Sequence, residues 1–192
     1  MSVNISALGN LVASDPVDLD IKEARFQFPR KGRYLVRARE NFSEAFGTTK
    51  AGNLKAEVNP TIVGPTNEGF ELRFISISAK PYPTGKDKKG PATSQFAQYL
   101  KAFPGHTGML SGDPQELADA VAATAGQTYY VDLDWKAYNS ATGFEVRGME
   151  KFPLDENGEP QAWIEDPNET GEDGKPKRLR ANLEVRRYVS AS

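Results

Sequence analysis

Apolar and polar residues alternate over several short stretches of the chain, which is the pattern of half-buried β-strands. From residue 33 to residue 40 the alternation puts Tyr34, Val36 and Ala38 on one face. The opposite face is mostly basic, with Arg33, Arg37 and Arg39. The pattern therefore predicts a strand with one face in the core and one cationic face.

Two further strands are predicted in the segments 53–63 and 70–78. Pro60 lacks an N–H for the sheet, so it indicates a bulge or an edge position in the first of them. In the second, Phe70 and Phe74 alternate with polar residues and are expected in the core. The three strands together predict a meander.

Helical spacing appears only in the middle of the chain. Ser94 is a candidate N-cap for a helix whose apolar face contains Phe96, Tyr99, Leu100 and Phe103. A second helix is predicted between Asp113 as N-cap, Pro114 at the first helical position and Gly126 as the stop.

The alternating pattern resumes in the segments 127–135, 143–149 and 179–189, which predict further strands. Between them, residues 155–173 contain eight acids and no base, with Pro and Gly throughout. This composition favours a long solvated loop. A sharper hypothesis is that the loop folds over a basic groove and competes with nucleic acid.

The order of three strands, then helices, then two or three strands predicts a mainly β fold with one or two helices. An OB-like five-stranded Greek-key barrel with extensions fits this order. The chain has 192 residues, so we expect an N-terminal arm at 1–23 and a single OB-like domain at 24–192. The acidic loop, at about 155–173, belongs to that domain.

Few residues offer catalytic or metal-binding chemistry. The chain has no Cys and one His, which excludes zinc ribbons and Cys nucleophiles, and we expect no metal and no cofactor. Asp132, Asp134 and Lys136 share one strand face, as in restriction-type nucleases, so a nuclease is a minor alternative. A calcium loop starting at Asp166 fails because Lys177 stands where a bidentate Glu is needed.

The net charge of −2 conceals a bipolar chain. Residues 22–101 contain 15 Lys and Arg against 7 acids, whereas residues 102–192 contain 9 against 16. A basic half of this kind indicates a polyanionic partner. The alternative is that the two halves interleave in the fold and cancel.

Basic residues interleaved with aromatic ones are typical of single-strand binding, in which cations neutralise the backbone and rings stack on bases. Tyr82, Trp135 and Tyr138 are the stacking candidates. The complete predicted nucleic-acid-binding set is Arg33, Arg37, Arg39, Lys55, Arg73, Lys80, Tyr82, Lys86, Lys88, Lys89, Trp135 and Tyr138.

Several strings resemble a family of small tailed-bacteriophage proteins from replication and recombination genes. They are KAGNLKAEVNPTIVGP with EGFELRF, SQFAQYLKA, GMEKFPLDENGEPQAW and RLRANLEVRRYV, and the likeness spans about residues 32 to 190. The resemblance implies single-stranded-DNA binding and an OB-type fold. One departure is the ending RRYVSAS, which lacks the acidic, Phe-ended tail of bacterial single-strand binding proteins.

These observations predict a non-enzymatic protein that binds single-stranded DNA without sequence specificity in phage DNA replication or recombination. The alternative is a phage protein-interaction or virion-associated module without nucleic-acid binding. The expected partners are single-stranded DNA and other replication or recombination proteins, with a homo-oligomer as an open alternative. We expect no membrane partner and a location in the host cell cytoplasm, since no apolar run approaches a membrane span.

Overall fold

A computed structural model of the protein describes residues 28–83, 92–106, 110 and 112–191. The fold is mainly β, with a sheet curled into a half-barrel, and the described ranges contain two α-helices. The predicted fold class is confirmed at this level. The predicted arm at 1–23 lies outside the described residues, and no helix among them is long and apolar enough to cross a membrane.

The strands and helices are short apart from β8, β10 and β12. The strands are β1 (Gly32–Arg37), β2 (Phe46–Thr48), β3 (Leu54–Glu57), β4 (Thr61–Ile62), β5 (Ser76–Ser78), β6 (Tyr82–Pro83), β7 (Ala92–Thr93), β8 (Thr128–Tyr138), β9 (Glu145–Arg147), β10 (Trp163–Thr170), β11 (Pro176–Arg180) and β12 (Asn182–Ser190). The helices are α1 (Gln95–Leu100) and α2 (Pro114–Ala122), with a 3-10 helix at Met149–Lys151.

The first sheet is built around β8, and all its pairings are antiparallel. One edge of β8 pairs with β12, and the other pairs first with β1 and then with β9, while β4 lies beyond β1. Val131 lies opposite Tyr34 of β1 and Tyr188 of β12, and all three side chains join the core. The predicted apolar face of the first strand is therefore confirmed, with Val36 and Ala38 buried.

The second sheet contains β2, β3 and β5. The single strand predicted at 53–63 is wrong, because the chain leaves this sheet after Glu57 and enters the first sheet at Thr61. Pro60 lies in the crossing between the two sheets, where its missing N–H does not interrupt a strand pairing. The crossing joins the two sheets around one core.

The strand predicted at 70–78 is shorter than expected, since only Ser76–Ser78 pairs as β5. Leu72 is buried, but Phe74 is 89% exposed and has a positive φ of 63°. The expectation that Phe74 belongs to the core is wrong. A residue in the left-handed region breaks the strict alternation of a strand, so the side-chain pattern no longer predicts which face is buried.

Both helices begin as predicted. The Ser94 side chain accepts a hydrogen bond from the Ala97 N–H, and the Asp113 carboxylate accepts from the N–H groups of Gln115 and Glu116. The predicted apolar face of α1 is buried, including Phe103 just beyond the helix. α1 packs against the core side of the first sheet, where Tyr99 contacts Tyr129 and Tyr188 edge-to-face.

The prediction that residues 155–173 form a solvated loop is wrong. This segment contains β10, which pairs with β11 in a hairpin. Ile164 and Leu179 pack on a second core cluster around Trp135 and Phe152. The strand predicted at 179–189 is likewise divided at the buried Ala181, between β11 and β12. Ile164 and Leu179 are cross-strand partners, so their side of the hairpin is anchored on this cluster.

A buried carboxylate joins this hairpin to the β8–β9 loop. Asp166 is fully buried and accepts hydrogen bonds from the Asn139 amide at 2.7 Å, the Thr142 hydroxyl at 2.6 Å and the Asn168 N–H at 2.8 Å. Burial works to raise its pKa, but the hydrogen bonds outweigh burial and the pKa is lowered. The ionised form of the Asp166 carboxylate is therefore the one that holds the hairpin to the β8–β9 loop.

The core contains one tyrosine hydroxyl with an unusual environment. Tyr129 is completely buried, and its hydroxyl makes no hydrogen bond of standard geometry to the residues that the structure describes, although the Tyr99 hydroxyl is near enough to influence its pKa. Burial, together with the nearby Tyr99 and Tyr188, raises the pKa of Tyr129 well above its ordinary value. By contrast, the Tyr99 hydroxyl bonds to the Thr124 hydroxyl at 2.8 Å.

We expect Tyr129→Phe to leave stability unchanged or to raise it, because the substitution removes an unpaired buried polar group that costs about 1–3 kcal/mol. Tyr99→Phe is the matched control and should lower the free energy of unfolding by about 1 kcal/mol, because it deletes a made hydrogen bond. Urea denaturation measures both. Equal losses in the two variants would contradict this account of the Tyr129 hydroxyl.

Candidate nucleic-acid interface

The face of the first sheet that points away from the core carries most of the charged side chains of that sheet. Cross-strand partners share a face, so the register defines this outer face. Its members are Arg33, Leu35 and Arg37 of β1, Thr128, Tyr130, Asp132, Asp134, Lys136 and Tyr138 of β8, Glu145 and Arg147 of β9, and Asn182, Glu184, Arg187 and Val189 of β12.

Two neighbouring rows cross the middle of the outer face. In the arginine row, Asp132 lies between Arg33 of β1 and Arg187 of β12. In the aromatic row, Tyr130 lies between Leu35 and Val189, and all three are half-buried. Residues two apart on a strand are separated by roughly 7 Å, so a ring and cations lie one short step apart.

Within the arginine row, Arg33 makes a two-pronged contact with Asp132. Its Nε donates to one carboxylate oxygen at 2.7 Å and its Nη2 to the other at 3.1 Å. The hydrogen bond from Arg33 is the largest influence lowering the pKa of Asp132; burial opposes it, and the charge of Arg187 adds to it. Asp132 is therefore ionised at neutral pH and fixes the Arg33 guanidinium.

Charge is less balanced at the Arg37 end of the outer face than at the Tyr138 end. Toward Tyr138, Lys136 lies 3.3 Å from Glu145, and Arg147 lies 2.6 Å from Glu184. Arg37 and Arg187 have no carboxylate within salt-bridge distance among the described residues. Arg37 and Arg187 are thus the outer-face arginines without such a pair among the described residues, and Glu40 lies beside Arg37 at this end of the face.

Arg37 also lines a cleft of about 380 Å³ where the two sheets meet. The other residues of this cleft are Ala38, Arg39, Glu40, Asn41, Asn59, Thr61, Val63 and Glu71. Arg39 is half-buried, donates to the Glu57 carbonyl at 3.0 Å and lies 5.6 Å from the centre of the Phe42 ring. Arg39 therefore supports the wall of the cleft, rather than extending the cationic face as the sequence predicted.

Other predicted cations lie away from the outer face. Lys55 is on β3 and pairs with Glu57 at 3.4 Å, while Arg73 pairs with Glu71 at 2.9 Å. Lys80 is exposed after β5. The structure thus brings Arg33 and Arg37 together, but not these three with them. The predicted Lys86, Lys88 and Lys89 lie outside the described residues.

The three predicted stacking aromatics have different environments. Trp135 is wrong as a stacking site, because it is 3% exposed, packs edge-to-face on Phe152 at 5.3 Å and donates its indole N–H to the Pro29 carbonyl. Tyr138 is 49% exposed on the outer face, with the Lys136 ammonium 5.5 Å from its ring centre. Tyr82 is exposed on β6, near Tyr188, whose ring is on the core side of the sheet.

The three residues behind the nuclease alternative have separate structural partners. Asp134 is buried, and its carboxylate accepts from the N–H groups of Trp135 and Met149. Burial is the largest influence on its pKa and raises it, but those two hydrogen bonds and the charge of Lys31 lower it overall. Lys136 pairs with Glu145, and no group of three acidic or histidine side chains that could hold a metal ion occurs among the described residues.

Sequence reasoning missed Tyr130 and Arg187 as candidate binding residues. The alternation in TYYVDLDW shows that Tyr129 and Tyr130 face opposite sides, but the sequence does not show which strands flank them. The bulge between Val185 and Arg187 changes the phase of β12, and no residue type signals it. These positions follow from tertiary pairing.

Comparison with protein families, with curated proteins and with solved structures finds no match to this chain. The candidate interface is therefore defined by the geometry of the outer face and the cleft.

We expect Trp135→Ala to lower the free energy of unfolding by about 3–5 kcal/mol, because it leaves a cavity in the second core cluster. Trp163→Ala is the matched control. Trp163 is half-buried and stacks 4.1 Å from the Arg178 guanidinium, outside that cluster, so its loss should be smaller. Urea denaturation followed by circular dichroism measures both, and similar losses would contradict the assignment of Trp135 to the core.

Proposed function

We propose that this protein binds single-stranded DNA without sequence specificity, in phage DNA replication or recombination, and acts as a binding protein rather than an enzyme. The observation that carries the proposal is the aromatic row of Leu35, Tyr130 and Val189 beside the arginine row. Single-strand binding needs a ring for the bases next to cations for the backbone. Both groups are on one continuous outer face.

In the proposed mode, an unpaired base lies on the Tyr130 ring between the apolar side chains of Leu35 and Val189. Duplex DNA cannot make this contact, since its base faces are already stacked. The backbone phosphates then lie over Arg33, Arg37 and Arg187. Because Asp132 engages Nε and Nη2 of Arg33, the Nη1 group is the part of that guanidinium directed to a phosphate.

We also propose an OB-like arrangement for the domain. The support is the curled half-barrel sheet and the position of α1 and α2 between the early strands and β8. OB-folds bind oligonucleotides on an exposed strand face, and the outer face is such a surface.

Affinity for a labelled oligo-dT should fall with salt. Each neutralised phosphate of a single strand contributes about 0.7 to the log–log slope, so contacts from Arg33, Arg37 and Arg187 predict a slope of about −2. Arg187→Ala should weaken binding and reduce the magnitude of the slope by about 0.7. Fluorescence anisotropy at several salt concentrations measures both quantities.

Lys175→Ala is the matched control, because it removes an equal charge from the exposed turn of the β10–β11 hairpin. It should leave the slope unchanged. No binding by the wild-type protein at low salt would favour the protein-interaction alternative.

The aromatic row predicts a separate effect of Tyr130. A stacked base contributes about 1–3 kcal/mol, so Tyr130→Ala should lower oligo-dT affinity by about 5- to 150-fold. Tyr130→Phe keeps the ring and should keep the affinity. The same titration against a duplex competitor tests selectivity, and equal affinity for duplex and single strand would contradict stacking on Tyr130.

A further inference from the structure

Phe74 combines exposure with an unfavourable backbone conformation. Its side chain is 89% exposed, the highest fraction among the large hydrophobic residues that the structure describes. Its φ of 63° is uncommon for a bulky residue, because Cβ approaches the following carbonyl oxygen. The fold therefore keeps an aromatic ring in water at a position that glycine would occupy more easily.

The turn around Phe74 is fixed on both sides by the sheet-crossing segment. The Leu72 N–H donates to the Pro60 carbonyl at 2.8 Å, and the Ile75 N–H donates to the Asn59 side-chain oxygen at 2.9 Å. Leu72 and Ile75 are both buried. Because Leu72 and Ile75 are both anchored in the core, the backbone between them holds Phe74 at the surface. Strain that the surrounding structure enforces in this way is concentrated at ligand sites.

The sheet-crossing segment and the turn before Phe74 together form one wall of the cleft that Arg37 lines. Asn59 and Glu71 line the cleft, and Glu71 pairs with Arg73, the neighbour of Phe74. Phe74 is thus attached to the cleft wall through residues on both sides of it in the chain.

The cleft offers hydrogen-bond donors. The side-chain oxygens of Asn41 and Asn59 accept from backbone N–H groups, at 2.7 Å and 2.9 Å. Each amide therefore has its NH₂ group left as a donor, and Arg37 adds a guanidinium. The Glu40 and Glu71 carboxylates also line the cleft as acceptors, so the set matches a base edge, which carries both donors and acceptors, better than a phosphate.

We propose that Phe74 stacks on an unpaired base of a DNA strand that continues from the outer face, past Arg37, to the cleft. The inference rests on the proposed function, and it names a second base-binding position. Arg37 connects the two positions, because it pairs with Thr128 on the outer face and also lines the cleft.

A single ring among charged neighbours suits a base better than an apolar protein surface. Arg73 and Glu71 flank the turn and are both exposed. A docking patch for a protein partner requires a contiguous apolar area. A base requires one ring face and nearby donors.

The test is Phe74→Gly, which relieves the positive φ and removes the ring. Melting temperature should rise, while affinity for oligo-dT should fall by about 5- to 150-fold. The salt slope should stay at the wild-type value, because the ring contacts no phosphate. A purely structural role would change stability without this loss of affinity.

Two variants serve as controls. Phe74→Trp keeps an aromatic face and should bind oligo-dT as the wild type does. Asn67→Gly relieves the other positive φ at a non-glycine residue among the described residues, and it should leave affinity unchanged.

The outcomes separate the two proposals. Wild-type binding that Phe74→Gly leaves intact would overturn the role of Phe74 alone, as would a Phe74→Trp variant that binds as weakly as Phe74→Gly. Absence of wild-type binding would overturn both this inference and the proposed function.

Discussion

The pairing of β8 on both edges is the constraint on which the remaining structure depends. Over its eleven residues, it binds β12 on one side and β1 followed by β9 on the other. Because its side chains alternate, Tyr129 and Val131 enter the core while Tyr130 and Asp132 form the centre of the outer face. A slip of one residue would exchange these two sets, so the core and the candidate interface are specified together.

The core side of this strand explains why the register is secure. Tyr129 packs at 4.8 Å from Phe103 and at 5.6 Å from Tyr99, both of which are positioned by α1. Aromatic pairs in this geometry contribute about 0.5–1.5 kcal/mol beyond their buried area. The outer face adds the cross-strand pair of Arg33 and Asp132, which requires the same register.

Local signals predicted those parts of the fold that depend on local physics. The caps at Ser94 and Asp113 and the two faces of β1 agree with the structure, because capping and alternation act within a few residues. The exposure of Phe74 and the burial of Trp135 could not be predicted in this way. They depend on the sheet crossing and on the hairpin that covers Trp135, which are contacts between residues distant in sequence.

Contacts between residues distant in sequence also decide which cations reach the candidate site. Counting charge along segments of the chain therefore overstated the cationic groove. Arg33, Lys55 and Arg73 belong to the basic half, yet each contacts a carboxylate in the fold. The Arg33–Asp132 pair is two-pronged and fixes the guanidinium, whereas Lys55 and Arg73 make single exposed contacts of the kind that contribute about 0–1 kcal/mol. Lys55 and Arg73 lie away from the outer face, so summing charge along the chain counted cations that the fold does not bring together. Among the described residues, Arg37 and Arg187 have no carboxylate at salt-bridge distance, so the positive charge that pairing leaves on the outer face lies beside the aromatic row.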